Sequence, residues 1–247
     1  MKKPIPATAG FTLVEMAIVL LIVALAIGGG LSVFSTQMEV QKVKETQSAL
    51  DEAREALIGY AVTHLATDSR PYLPCPDKTT AAGAGTANDG QEDRTGTGCV
   101  AYDGNLPWVT LGLKGLDGWS NRLRYRVTGA PSEAAFARSD TGMKLDAAGA
   151  LTINSAAAAA VATVVPLVVL SHGPNGLGAI SSGGTAVGAP TRANELENAD
   201  SDAIFISNGP IEIAGSEFDD VVTWLPAGLL FSRLLQAGVC VKTTACP

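Results

Sequence analysis

The chain has 247 residues, of which 47% are hydrophobic and only 5% aromatic, with 27 glycines and a formal net charge of -7. An acidic chain without a basic patch has nothing to set against a run of phosphates, which argues against nucleic acid as a partner. Its four cysteines and two histidines include no Cys-x-x-Cys pair, so a zinc site is not expected either.

In chain order, Lys2 and Lys3 precede Gly10-Phe11-Thr12-Leu13-Val14-Glu15-Met16. From Met16 to Leu31 no side chain is polar, and the apolar character runs to Phe34 with Ser32 as the one interruption. About 24 residues at ~1.5 Å each reach roughly 36 Å, enough for the ~30 Å hydrocarbon core of a bilayer. Residues 11–34 are therefore predicted to form a transmembrane helix. Glu15 lies inside it at a cost of about 2.5–3.5 kcal/mol, so a partner for its carboxylate is expected. A secretory signal ending near Ala24-Leu25-Ala26 is a competing reading, but the apolar run continues past it and a carboxylate is foreign to such a signal. An uncleaved anchor with its lysines in the cytoplasm is the other.

Basic leader, Gly10, Phe11, Thr12-Leu13, Glu15 and an unbroken apolar run together resemble the processing signal of type IV pilins and type II secretion pseudopilins. The resemblance implies that a prepilin peptidase removes residues 1–10 after Gly10 and that the new terminus at Phe11 is N-methylated. It implies that Glu15 is the assembly residue, meeting the Phe11 amine of a neighbouring subunit. The partners it implies are other pilins or pseudopilins through the N-terminal helix, the peptidase, and an inner-membrane assembly platform. The implied location is single-pass in the bacterial inner membrane with the head in the periplasm, then a filament in the periplasm or at the cell surface. Loss of the leader removes two lysines and no acid, leaving a charge of -9.

Gly28-Gly29-Gly30 weakens the helix by about 1 kcal/mol per glycine. Pilins of the family commonly carry a proline near this depth, where this chain has Ser32. Over 35–66 the pattern turns amphipathic. Val43, Leu50, Ala53, Leu57 and Tyr60 recur at helical steps, with Lys42, Lys44, Glu45, Glu52, Arg54 and Glu55 elsewhere on the cylinder. This half is expected to continue the helix and to lie on a head formed by 67–247. His64 falls on the packed face as a structural residue. Pro71, Pro74 and Pro76 end the helical pattern.

All four cysteines lie beyond this helix, and an even number in an oxidising compartment favours disulfides. Of three connectivities, the local pairs Cys75–Cys99 and Cys240–Cys246 are preferred. Between the first two, Asn88-Asp89-Gly90-Gln91-Glu92-Asp93 only superficially resembles a calcium loop, because it lacks EF-hand spacing. Arg122 to Val127 alternates basic and apolar residues, as a strand with one wet face does. Met143–Asp146 and Leu151–Asn154 read as a hairpin, Ala156–Ala160 as helical, and Val164–Leu170 as a buried strand. Ser171 and His172 are adjacent, so a strand end points them to opposite sides, and there is no G-x-S-x-G elbow. Strands over Ala203–Ser207, Ile211–Ile213 and Asp219–Trp224 precede a C-terminal helix that starts at Pro226, with an apolar face of Leu229, Leu230, Leu234 and Leu235.

Asp117-Gly118-Trp119-Ser120-Asn121 followed by an aromatic strand, together with the acidic loop before Trp224, is similar to the head of the major pseudopilin, where the corresponding loop binds calcium. That likeness makes calcium the one cofactor to look for, with Glu195, Glu197, Asp200, Asp202, Asp219 and Asp220 as candidate ligands. The expected fold is α+β: a long N-terminal helix, membrane half plus amphipathic half, packed on an antiparallel sheet of roughly four to six strands. The expected function is that of a non-enzymatic minor or accessory pilin-like subunit. The alternatives are an adhesive tip on a pilin-like anchor and an anchored periplasmic enzyme, which lacks a nucleophile–base constellation.

Overall fold

The computed structural model describes residues 10–129 and 136–246, without the side chains of Ala26 and residues 28–35. Most of the expected leader, residues 1–9, therefore lies outside the described residues. The first element is α1 (Leu13–Thr63), 51 residues long and helical through Gly28–Gly30. It ends ahead of the proline-rich stretch, where Leu65 and Pro71 form an isolated bridge. There follow β1 (Arg94–Thr95), β2 (Gly98–Cys99), β3 (Asp103–Asn105), α2 (Trp108–Leu111), β4 (Arg124–Val127), β5 (Leu151–Asn154), β6 (Ala160–Val165) and β7 (Leu167–Ser171). The last elements are α3 (Ala193–Ala199), β8 (Ile204–Ile206), β9 (Val221–Leu225) and α4 (Ala227–Gln236).

The chain divides into two compact units between Val43 and Lys44. The first holds the start of α1 and the residues just before it, where apolar side chains are exposed: Phe11 84%, Leu13 88% and Leu25 69%. In the second unit, Leu50, Ala53, Leu57, Ile58 and Ala61 of α1 are buried with Leu230, Phe231 and Leu234 of α4. The same cluster takes in Tyr125, Val127, Leu167, Val169 and Leu225 from the four-stranded sheet β3-β4-β7-β9. Strand β7 is buried along its whole length, and the alternation of a strand divides it between two cores. Leu167 and Val169 face the first cluster, while Val168 and Leu170 join Leu151, Ile153, Val165 and Phe205 in a second. That second core belongs to the three-stranded sheet β6-β5-β8.

The expected fold is corrected in several respects. Three small sheets replace a single antiparallel one, and β5 pairs with β8 in parallel. The cause lies in the apolar run before Ser171. Val164 has a left-handed backbone (φ 53°) and Pro166 has no N–H to donate, so β6 and β7 separate into different sheets. The proposed hairpin is also replaced: β5 pairs with β6 and β8. The donors of Met143 and Leu145 are taken instead by the carbonyls of Pro71 and Val241. The stretch expected to be helical, Ala156–Ala160, is instead a turn that enters β6 at Ala160, with Ala158 at φ 58°.

The membrane half is corrected as well: among the described residues no helix is long and apolar enough to cross a membrane. The transmembrane assignment of 11–34 and the single-pass inner-membrane location, with the periplasmic head and the filament placement that followed from it, are therefore withdrawn.

Candidate functional site

At the start of α1, Thr12 and Glu15 hold one another. The Thr12 N–H and the Thr12 hydroxyl both donate to Glu15 Oε2 at 2.9 Å, and the Glu15 N–H donates to Thr12 Oγ1 at 3.2 Å. This is a capping box: a threonine before the helix and a glutamate three residues later satisfy each other's orphan donors. The Thr-x-x-Glu spacing was on view in the sequence, and reading Glu15 only as an assembly charge missed it. Phe11 and Glu15 are both exposed, and a Cβ added at Gly10 would meet nothing within 4 Å. The two candidate processing residues and the candidate assembly residue thus share one open helix start.

The cysteines are bonded Cys75 to Cys99 and Cys240 to Cys246. Inside the larger loop a lysine does what a metal ion would do elsewhere. The Lys78 ammonium, whose side chain is buried, donates to the carbonyls of Ala82, Gly83 and Ala84 at 3.3, 2.9 and 2.8 Å. Carboxylates of this loop accept from N–H groups: Asp93 from the Lys78 backbone, and Asp77 through Oδ2 from Gly90 and the Asn105 amide, with Asp77 Oδ1 left buried and without a partner. Burial raises Asp77 to about 6. Nothing in the spacing of Asn88 to Asp93 showed that a cation from the chain itself would fill the loop.

The six acids proposed as calcium ligands fall into two sets. Glu195 is buried at the start of α3, where its Oε1 accepts from the Asn175 amide at 3.0 Å. Asp219 accepts from the Asn175 N–H at 3.2 Å, and Asp220 from the Asn198 amide at 2.8 Å. Each of the three keeps one buried oxygen with no hydrogen-bond partner: Glu195 Oε2, Asp219 Oδ1 and Asp220 Oδ1. Burial first, then the neighbouring charges of Glu195 and Asp220, lift Asp219 to about 6. Glu195 is raised for the same reasons, burial leading. Glu197, Asp200 and Asp202 form the other set; Asp200 and Asp202 are exposed, and burial together with their charges raises Glu197. Orphaned carboxylate oxygens fit the charge of a hard cation. A finished ligand set is another matter: among the described residues no group of three or more His, Cys, Asp or Glu is placed to hold a metal ion.

Ser171 and His172 do not work together. The Ser171 hydroxyl donates to Asp117 Oδ2 at 2.6 Å, whereas His172 Nδ1 lies 3.6 Å from Asp220 Oδ1. His64 is stacked on Tyr60, with ring centres 3.8 Å apart, and Tyr60 in turn donates to Glu92. No nucleophile–base pair emerges from either histidine among the described residues. No family model, no curated protein and no solved structure matches this chain.

Proposed function

We propose that this protein is a non-enzymatic structural subunit that assembles through the start of α1, in the manner of type IV pilins or type II secretion pseudopilins. One observation carries the reading. The first part of α1 presents Leu13, Val14, Ile18, Leu20, Leu21 and Ile22 to the outside, each more than half exposed. A row of apolar side chains of this size calls for a covering partner, and an equivalent helix from another subunit has matching length and chemistry. The short motif Gly10-Phe11-Thr12-Leu13-Val14-Glu15 supports the same reading, with prepilin peptidase and the assembly platform of that machinery as further partners. The two disulfides suit an oxidising compartment.

The experiment is the N-terminal mass of the chain purified from cells that contain a prepilin peptidase. The expected product begins at Phe11 and carries one added methyl group, and replacing Gly10 with a bulky residue abolishes it. A product beginning after Ala26, or an unprocessed chain, contradicts the reading.

Calcium enters this proposal only as a cation drawn to Glu195, Asp219 and Asp220, which do not by themselves make a ligand set, and not to Glu197, Asp200 or Asp202. The first three have orphaned buried oxygens that a cation would relieve. Thermal unfolding with millimolar calcium and with chelator tests it: a higher midpoint with calcium is expected, and coincident midpoints remove calcium from the account.

A further inference from the structure

A second polar site, also bordered by His172, is unlike the rest of this acidic chain. A cavity of about 160 Å³ is lined by Asp103, Asn105, Arg122, Arg124, His172 and Ser201, among others. Two guanidiniums face one carboxylate there, and that carboxylate is already used. Arg124 holds Asp103 in a two-pronged pair, Nε to Oδ1 at 2.9 Å and Nη2 to Oδ2 at 2.5 Å, and the Ser201 hydroxyl adds a third hydrogen bond to Asp103 Oδ2.

Arg122 is different. Its guanidinium lies 3.7 Å from the centre of the Trp108 ring, and its two hydrogen bonds go to the carbonyls of Lys114 and Ser182 at 3.4 and 3.2 Å. Among the described residues no carboxylate approaches it within the 4.0 Å of an ion pair. A guanidinium has five N–H donors, so with two of them on carbonyls it still has N–H groups to offer a planar or tetrahedral oxyanion. His172 is the second, independent sign. It is 1% exposed and it lines the cavity; Nδ1 has only the Asp220 carboxylate at 3.6 Å, too long for a hydrogen bond, and Nε2 has no hydrogen-bond partner. A buried imidazole without partners costs free energy unless something supplies them. The wall is also fitted closely: a Cβ at Gly178 would come within 3.1 Å of His172 Cε1, and one at Gly104 within 2.4 Å of the Asp77 carbonyl.

We propose that this cavity binds a small oxyanion, a carboxylate or phosphate group, which lays its oxygens against Arg122 and engages His172. The inference goes beyond the assembly reading and does not depend on it, since every residue used lies beyond Lys44.

The test is titration of the full chain with sodium acetate and, separately, sodium phosphate, at ionic strength held constant with chloride. Binding is read by calorimetry and by the ring resonances of the chain's two histidines. Saturable binding of at least one anion is expected, with the His172 resonances shifting and those of His64 staying in place. The tighter of the two anions identifies the class. Arg122→Gln is expected to weaken binding at least tenfold, while Lys44→Gln, which removes an equal charge outside the cavity, leaves it unchanged. Failure of both anions to saturate, equal weakening by the two variants, or equal movement of both histidines overturns the proposal. The histidine comparison uses the unaltered chain, so it holds even where Arg122→Gln disturbs folding.

Discussion

Two stretches of one helix meet opposite fates. In residues 13–25 of α1, apolar side chains occur on every face and those described are exposed. In residues 44–63 they keep to one stripe: Leu50, Ala53, Leu57 and Ala61 are at most 2% exposed, while Glu45, Glu52 and Glu55 face solvent. The second stretch is amphipathic because one partner, the core of its own unit, covers one side of it. The first has no such pattern, which fits a helix with neighbours on several sides. The difference teaches that the chain folds with one part of α1 and, on the account proposed, assembles with the other.

The largest effect expected is therefore on folding. Leu57→Ala opens a hole in the main core and should cost about 2–5 kcal/mol, seen as a lower midpoint of thermal unfolding. Leu20→Ala, at a site 63% exposed, should leave that midpoint within error and instead weaken association of the full chain. Equal midpoint losses in the two variants would erase the distinction between the stretches.

Next comes the link that closes residues 75–99. Replacing Cys75 and Cys99 together with alanine should cost on the order of 3 kcal/mol for a loop of this length, again in the midpoint and not in association. Loss of association at an unchanged midpoint would mean that this loop belongs to the assembling surface.

A smaller effect is expected with pH. Asp77 and Asp219 are both raised from 3.8 to about 6. An acid raised on folding stays protonated in the folded chain after it has ionised in the unfolded one. Their contribution to stability is thus complete below about pH 4 and is lost as pH rises through about 6. Asp219→Asn should flatten roughly half of that fall, and by relieving repulsion from Glu195 and Asp220 it should raise the midpoint near neutral pH. An unchanged slope would show that Asp219 is not the strained member of its cluster.

These contrasts also mark how much was readable in advance. The amphipathic stretch from Val43 to Tyr60 was legible, since periodicity reports directly which side a helix buries. The sheet arrangement was not, because left-handed backbone at Val164 and the parallel pairing of β5 with β8 follow from contacts distant in sequence. The split of six acids into Glu195, Asp219 and Asp220 on one side and Glu197, Asp200 and Asp202 on the other was hidden for a related reason. Residues 195 and 197 are close in sequence, yet they sit at different angles around α3 and meet different neighbours. The Thr12–Glu15 box was legible and went unread, while the Lys78 cradle and the Arg122–His172 cavity depend on long-range folding.

Glu15 carries the central claim and gives its most direct test. Its carboxylate caps α1 through Thr12, so Glu15→Ala removes a cap and a charge at once. Glu15→Gln removes only the charge, since glutamine also closes a capping box. The measurement is incorporation of both variants into assemblies formed by the processed chain, beside the helix content of each. The account predicts that Glu15→Gln keeps the helix content of the unaltered chain and still fails to assemble, as Glu15→Ala does, because a neighbouring Phe11 amine is left without its counter-charge. Normal assembly of Glu15→Gln would contradict it and would make Glu15 a helix cap and nothing more.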